Sequence, residues 1–186
     1  MYSHKRHIGK LATSAAAIAA SSILSIAAAQ AAETSTPMVL TAYINAAGGE
    51  SVLKGNYDTA LAEIRRDHSV NADYSAKMTN LCVTYAAKKD LAQAKNACDS
   101  AVQTAKSERI SAQRYAAGTV QENGYVAIAY TNRAVVHMMS KDSASARSDL
   151  ARAKSLAPSA EFVSKNLAAV ENTGSKIAQL SVAPSR

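Results

Sequence analysis

Residues 75–108 read SAKMTNLCVTYAAKKDLAQAKNACDSAVQTAKSE, and this stretch decides the fold class. Apolar side chains recur three and four residues apart on both sides of the polar break at Lys88-Lys89-Asp90. Such spacing is typical of the buried face of an amphipathic helix. The stretch therefore predicts two helices joined by a short turn, which is a helical hairpin.

The same residues resemble the tetratricopeptide repeat, a helical hairpin of about 34 residues. In that family the first helix carries a bulky residue, Leu, a small residue and Tyr, and the second carries Ala, a large residue and Ala. These positions hold Met78, Leu81, Cys82, Tyr85, Ala94, Cys98 and Ala101. The resemblance implies stacked hairpins whose small residues let the helices approach closely, with large residues filling the space beside them.

Two further units carry weaker forms of the pattern. The unit 127–160 repeats the Asn and Asp of the clear unit as Asn132 and Asp142, but Arg133 and His137 replace the expected Leu and Tyr. The unit 41–74 abuts the clear one directly, although Gly48-Gly49 weakens its first helix. The first unit is therefore the least regular of the three.

The remaining segments are assigned around these units. Residues 109–126 separate the second and third units, and either the preceding helix continues through Arg114 or the segment is a surface loop. Residues 159–170 carry one apolar stripe and are expected to form a capping helix. Residues 171–186 are polar and are expected to form a loose tail.

We therefore expect an all-α fold of stacked antiparallel helical hairpins, with about three repeats and a C-terminal cap spanning residues 32–170. The composition agrees, because 41 of the 186 residues are Ala, Trp is absent, and Gly (7) and Pro (3) are scarce. Such a composition argues against a turn-rich all-β fold. A helical bundle without repeats is the alternative.

Residues 1–31 have the three parts of a secretory signal peptide. Lys5, Arg6 and Lys10 precede a weakly apolar segment, and Ala29-Gln30-Ala31 offers a cleavage site. An uncleaved anchor is less consistent with so many Ala and Ser residues, since a spanning helix needs about 20 strongly apolar ones. We expect cleavage after Ala31 and a periplasmic or secreted protein, with a eukaryotic secretory route as an alternative.

Charge and side-chain chemistry limit the function classes. The net charge of +7 falls to +4 once the three basic residues of the signal peptide are removed, and the remaining basic residues are scattered. Nucleic-acid binding would need a clustered basic stripe. The sequence contains no catalytic motif, no phosphate-binding loop and no zinc-like spacing, so we expect no enzyme activity, cofactor or metal.

The two cysteines, Cys82 and Cys98, occupy the two helices of the clear hairpin. Export makes oxidation available. Their positions are about one helical turn out of direct opposition, so either a disulfide or two buried thiols is consistent with the sequence.

By its resemblance, the chain is expected to bind a peptide or helix of a partner protein in the concave groove lined by the first helix of each hairpin. The residues expected to line this groove are Asn45, Thr79, Val83, Ala86, Thr131, Val135 and Met138. Asn80 and Asn132 are the candidates for hydrogen bonds to a ligand backbone, and a structural role for both is the alternative. A structural or self-associating envelope protein, whose groove is filled by its own insert or by another copy, is the alternative.

Overall fold

The computed structural model describes residues 37–68, 74–114, 120–173 and 180–185. Within these ranges it contains seven helices and two short strands, so the prediction of a mostly helical chain is confirmed. The expected signal peptide, residues 1–31, lies outside the described residues. In chain order the elements are β1 (Met38–Tyr43), α1 (Gly49–Leu53), α2 (Tyr57–Arg66), α3 (Tyr74–Ala87), α4 (Leu91–Arg114), α5 (Val120–Met139), α6 (Ser143–Leu156), α7 (Glu161–Thr173) and β2 (Leu180–Ser185).

One kind of turn closes two helix pairs, α3 with α4 and α5 with α6. Lys89 and Lys141 have φ angles of 61° and 63°, the left-handed conformation that ends a helix. The following residues, Asp90 and Asp142, accept a hydrogen bond from the amide three residues later, at 3.2 and 3.0 Å. This capping starts the second helix of each pair.

The unit 41–74 has the same turn but lacks the expected first helix. Gly55 has a φ of 77° and Asn56 is the N-cap of α2, 34 residues before Lys89 and Asp90, although the Asn56 side chain makes no capping hydrogen bond. In place of a full first helix the chain forms β1 and the five-residue α1. The sequence expectation for this unit is therefore corrected from a hairpin to a strand, a short helix and α2.

Glycine permits the change from strand to helix at this point. Gly48 has a φ of 75°, which favours glycine, and a Cβ atom there would lie 2.7 Å from the side chain of Ile64. A Cβ atom on Gly49 would lie 1.9 Å from the carbonyl oxygen of Tyr43, the last residue of β1. The two glycines therefore allow α1 to start directly against the end of the strand.

The insert and the tail also differ in structure. Helix α4 continues through Arg114 and α5 begins at Val120, so the described part of the insert 109–126 extends the two helices. The tail is not loose throughout, because α7 continues to Thr173 and residues 180–185 form β2. Strand β2 pairs in parallel with β1, with Met38 opposite Leu180 and Tyr43 opposite Ser185.

Cys82 and Cys98 are joined by a disulfide between α3 and α4, with their Cα atoms 4.7 Å apart. Both are fully buried in the main apolar core, which also contains residues of α5, α6 and α7. A cross-link closing a loop of this length stabilises a folded domain by about 3 kcal/mol. The bridge fixes the position of α3, which carries Thr79, Val83 and Ala86 of the expected groove, relative to α4.

Candidate strand-binding groove

The groove expected from the sequence is occupied by the chain's own strand β1. Val83, Ala86, Val135 and Met138 belong to one apolar cluster with alternate β1 residues, Met38, Leu40 and Ala42. Thr79 and Thr131 are also buried. Asn45 is exposed in the turn after β1. The inner surface expected to be open to a partner is therefore covered over the length of this strand.

Three asparagines hold β1 by its backbone. The side-chain oxygens of Asn166, Asn132 and Asn80 accept hydrogen bonds from the N–H groups of Val39, Thr41 and Tyr43 at 2.6, 2.8 and 2.8 Å. Their amide groups donate to the carbonyl oxygens of the same three residues at 2.7, 2.8 and 2.9 Å. We call these three side chains the asparagine ladder.

The ladder matches the geometry of an extended chain. Alternate residues of a strand direct their N–H and C=O groups to the same edge, so Val39, Thr41 and Tyr43 all face the ladder. Asn80, Asn132 and Asn166 lie on α3, α5 and α7, and all three are 0 % exposed. Alternate helices therefore supply one asparagine for every second residue of the strand.

Sequence reasoning identified Asn80 and Asn132 but missed Asn166. Asn166 follows Asn132 by 34 residues, the same spacing that separates the first two units. Applying that spacing once more, into the expected cap, would have found it. Helix α7 therefore contributes to the groove as well as packing against α5 and α6.

The opposite edge of β1 pairs with β2. The N–H of Ile44 donates to the carbonyl oxygen of Ser185 at 3.4 Å, which places Ser181, Ala183 and Ser185 with their backbone groups toward β1. The backbone groups of Leu180, Val182 and Pro184 then face outward. Pro184 lacks an N–H, and at an outward position this removes no bond between the two strands.

An open cleft of about 710 Å³ lies beside β2. Its wall combines β2 with the ends of α1 and α5 and the turn before α4. The apolar residues lining it include Leu53, Tyr57, Leu91, Met139, Leu180 and Val182. Lys54 and Lys89 line the same cleft, and both residues are exposed. The accessible surface next to the strand pair is therefore apolar with a basic rim.

Two hydroxyl groups of β1, Thr41 Oγ1 and Tyr43 Oη, are buried without a hydrogen-bond partner in the described part of the chain. Burial raises the pKa of Tyr43 far above its usual value, and the neighbouring Tyr125 raises it further. The rings of Tyr43 and Tyr125 meet edge to face with centroids 5.3 Å apart. Buried polar groups usually find partners, so each of these hydroxyls needs an explanation.

Arg133, which replaces the Leu expected from the repeat pattern, forms an ion pair between helices. Its guanidinium donates to both carboxylate oxygens of Asp149 at 2.7 and 2.9 Å and to Asp99 at 2.9 Å. These contacts tie α5 to α6 and α4, and the hydrogen bond that Arg133 donates to Asp149 is the main reason that the pKa of Arg133 is raised. His137 adds a nitrogen 3.6 Å from Asp149. Arg133 therefore forms an ionic contact with Asp149 and Asp99 where an apolar contact was expected.

Neither a metal site nor a membrane-spanning helix is present among the described residues. No group of three or more His, Cys, Asp or Glu side chains there is arranged to hold a metal ion. Within the same ranges, no helix has the length and apolar character needed to cross a membrane. Comparison of the chain with protein-family models, with characterised proteins and with solved structures found no match in any of the three.

Proposed function

We propose that this protein is a non-enzymatic scaffold of the cell envelope that binds an extended segment of a partner protein. The asparagine ladder is the observation that carries the proposal. Its hydrogen bonds go to main-chain atoms, so it holds a strand whatever the side chains of that strand are. Recognition of an extended chain through its backbone is a common mode of protein interaction.

We also propose that the hairpins stack as in tetratricopeptide proteins. Two spacings of 34 residues support this proposal, one between the turns at Gly55 and Lys89 and one between Asn132 and Asn166. In such arrays the first helices line a concave binding surface. The ladder residues of α3 and α5 lie on these first helices.

Because β1 fills the groove, a partner would meet the strand pair and the cleft beside it. The cleft has apolar walls at Leu53 and Met139, both half-buried and near the ends of their helices. An apolar surface of this kind next to a strand is suited to an extended segment with aliphatic side chains. We therefore place the partner at this surface rather than at Thr79 or Val83.

An exported location belongs to the same proposal. Disulfides persist in oxidising compartments and are rare in the cytosol. The Cys82–Cys98 bridge and the signal-peptide pattern of residues 1–31 both support a periplasmic or secreted protein.

The proposal predicts that charges in the cleft abolish partner capture. The test uses tagged mature protein that carries Leu53→Asp together with Met139→Asp. The amount of partner that it captures from an envelope extract of its source should fall at least tenfold, since carboxylates in the cleft oppose apolar contact. Ile110→Asp is the matched control, because Ile110 is a large exposed apolar residue on α4. Quantitative mass spectrometry of the captured proteins measures the effect, after circular dichroism has shown that all variants are folded.

Capture that is equal in the cleft variant and in the control would remove the cleft from the proposal. Capture of nothing by the unmodified protein, across extracts and crosslinking conditions, would argue against the scaffold itself.

The second candidate is a structural, self-associating protein, and the filled groove favours it. The segment that fills the groove is residues 38–43 of the same chain, not the insert 109–126. A self-associating protein should show a rising mass in light scattering between about 1 and 100 μM, as expected for weak to moderate interfaces. A constant monomer mass over that range would contradict this candidate.

A further inference from the structure

The two strands of the pair differ sharply in burial. Every residue of β1 is buried, with Leu40 and Ala42 fully inaccessible. In β2, Ser181 and Pro184 are exposed and the other four residues are half-buried. Strands with few buried contacts open at lower free-energy cost than the core to which they are attached. Strand β2 is therefore the element of the pair that can leave without unfolding the domain.

Departure of β2 would uncover a complete docking edge. The backbone groups of Leu40 and Ala42 face β2, while those of Val39, Thr41 and Tyr43 stay bonded to the asparagine ladder. The ladder thus holds β1 in an extended conformation independently of β2. An extended segment from elsewhere would find a strand edge already in place.

The side chains around β2 indicate what such a segment should carry. Leu180 and Val182 pack against the main apolar core and line the cleft that contains Leu53 and Met139. Aliphatic side chains at these two alternate positions therefore fit the site. Their area of contact is what holds a strand against this face.

A third position is poorly matched by β2 itself. Ala183 lies directly opposite Thr41, and paired residues of neighbouring strands direct their side chains to the same face. Thr41 is 3 % exposed, and its Oγ1 has no hydrogen-bond partner among the residues that the structure describes. The alanine methyl group cannot supply one. A hydroxyl or amide side chain in place of Ala183 would satisfy this buried oxygen.

We propose that β2 is a displaceable strand that covers a docking edge on β1. The ligand is an extended segment of another protein that runs parallel to β1. It carries aliphatic side chains in place of Leu180 and Val182 and a hydroxyl or amide side chain in place of Ala183. The inference rests on the scaffold function proposed above and names the ligand class for that surface.

Displacement makes binding conditional. A strand tethered to its own site acts at an effective concentration in the millimolar range. A partner segment must therefore bind better than β2 or be held nearby by other contacts. The hydroxyl or amide opposite Thr41 provides one such advantage, worth about fivefold in affinity for one additional hydrogen bond.

Synthetic peptides test the proposal on the full mature chain. The reference peptide has the sequence of residues 179–186, QLSVAPSR, with a fluorescent label, and a second peptide carries Ala183→Thr. In fluorescence anisotropy the Ala183→Thr peptide should bind about fivefold more tightly than the reference. A protein variant with Val182→Asp, which weakens the attached β2, should bind both peptides at least tenfold more tightly than the unmodified protein.

A pair of backbone-methylated peptides provides the matched control. The N–H of Ala183 faces β1, so N-methylation there should weaken binding at least tenfold. The N–H of Val182 faces outward, so N-methylation there should change the affinity by less than about twofold. Equal effects of the two methyl groups would overturn the parallel register and with it the proposal.

Hydrogen exchange on the unmodified protein does not depend on any variant folding correctly. Saturating Ala183→Thr peptide should accelerate exchange at least tenfold at Ser181 and Ala183, while the amides of Val39, Thr41 and Tyr43 stay protected by the ladder. Unchanged exchange in β2 under saturating peptide would overturn displacement. If capture from extract still depends on Leu53 and Met139, the scaffold function stands and this inference alone fails.

Discussion

Replacing Asn132 with alanine is expected to lower the free energy of unfolding by about 4 kcal/mol. The side chain satisfies both the N–H and the C=O of Thr41, and all of these groups are buried. An orphaned buried donor or acceptor costs about 1 to 3 kcal/mol, and alanine orphans one of each. The cavity left by the amide adds to the loss.

Urea denaturation followed by circular dichroism measures this effect. Asn172→Ala is the control, because Asn172 is exposed on α7, the helix that also carries Asn166. That variant should differ from the unmodified protein by less than about 0.5 kcal/mol. A loss below about 1 kcal/mol in Asn132→Ala would mean that the ladder does not hold β1 in solution, and the strand-binding groove would lose its basis.

The helices could be predicted because their signals are local. Apolar spacing over residues 75–108 and the polar break at Lys88-Lys89-Asp90 are sufficient to specify two helices and a turn. The Asp residues that precede α4 and α6 are capping residues of the expected kind. Each of these features is decided within a few residues of chain.

The strands could not be predicted, because nothing local decides them. Residues 38–43 read MVLTAY, a short apolar run that suits a buried strand or part of a helix equally well. Its conformation is set by asparagines 37, 91 and 127 residues away along the chain. β2 in turn requires the edge of β1, at the other end of the described chain. Contacts at such separation leave no periodic signal.

The sequence therefore predicted only part of the candidate site. The repeat pattern identified the residues of α3 and α5 that pack against β1 and two of the three asparagines, since these recur at equivalent positions of the units. It gave no indication that the ligand of the surface is part of the same chain. A mostly apolar surface with a few small polar side chains, such as Val83 and Thr131, suits a buried groove floor as well as an open binding site. The sequence alone therefore does not distinguish the two.

Replacing Arg133 with leucine is expected to lower the free energy of unfolding by about 3 kcal/mol. The side chain of Asp149 is 4 % exposed, and its carboxylate accepts two hydrogen bonds from this guanidinium. Removing one partner of a buried ion pair costs about 3 to 5 kcal/mol, because the other charge stays buried. The lower end applies here, since Arg152 lies 3.7 Å from the same carboxylate.

A double-mutant cycle tells whether this loss is a property of the pair. Arg133→Leu combined with Asp149→Leu leaves no buried unpaired charge and restores the apolar residue that the repeat pattern expects at position 133. The double variant should therefore be more stable than Arg133→Leu alone, by about 1 to 3 kcal/mol in urea denaturation. If the losses of the two single variants, Arg133→Leu and Asp149→Leu, simply add, the two side chains do not stabilise the protein through each other. Arg133 then contributes through Asp99, and Asp149 through His137. The departure from the repeat would then serve the packing of α4 rather than the pairing of α5 with α6.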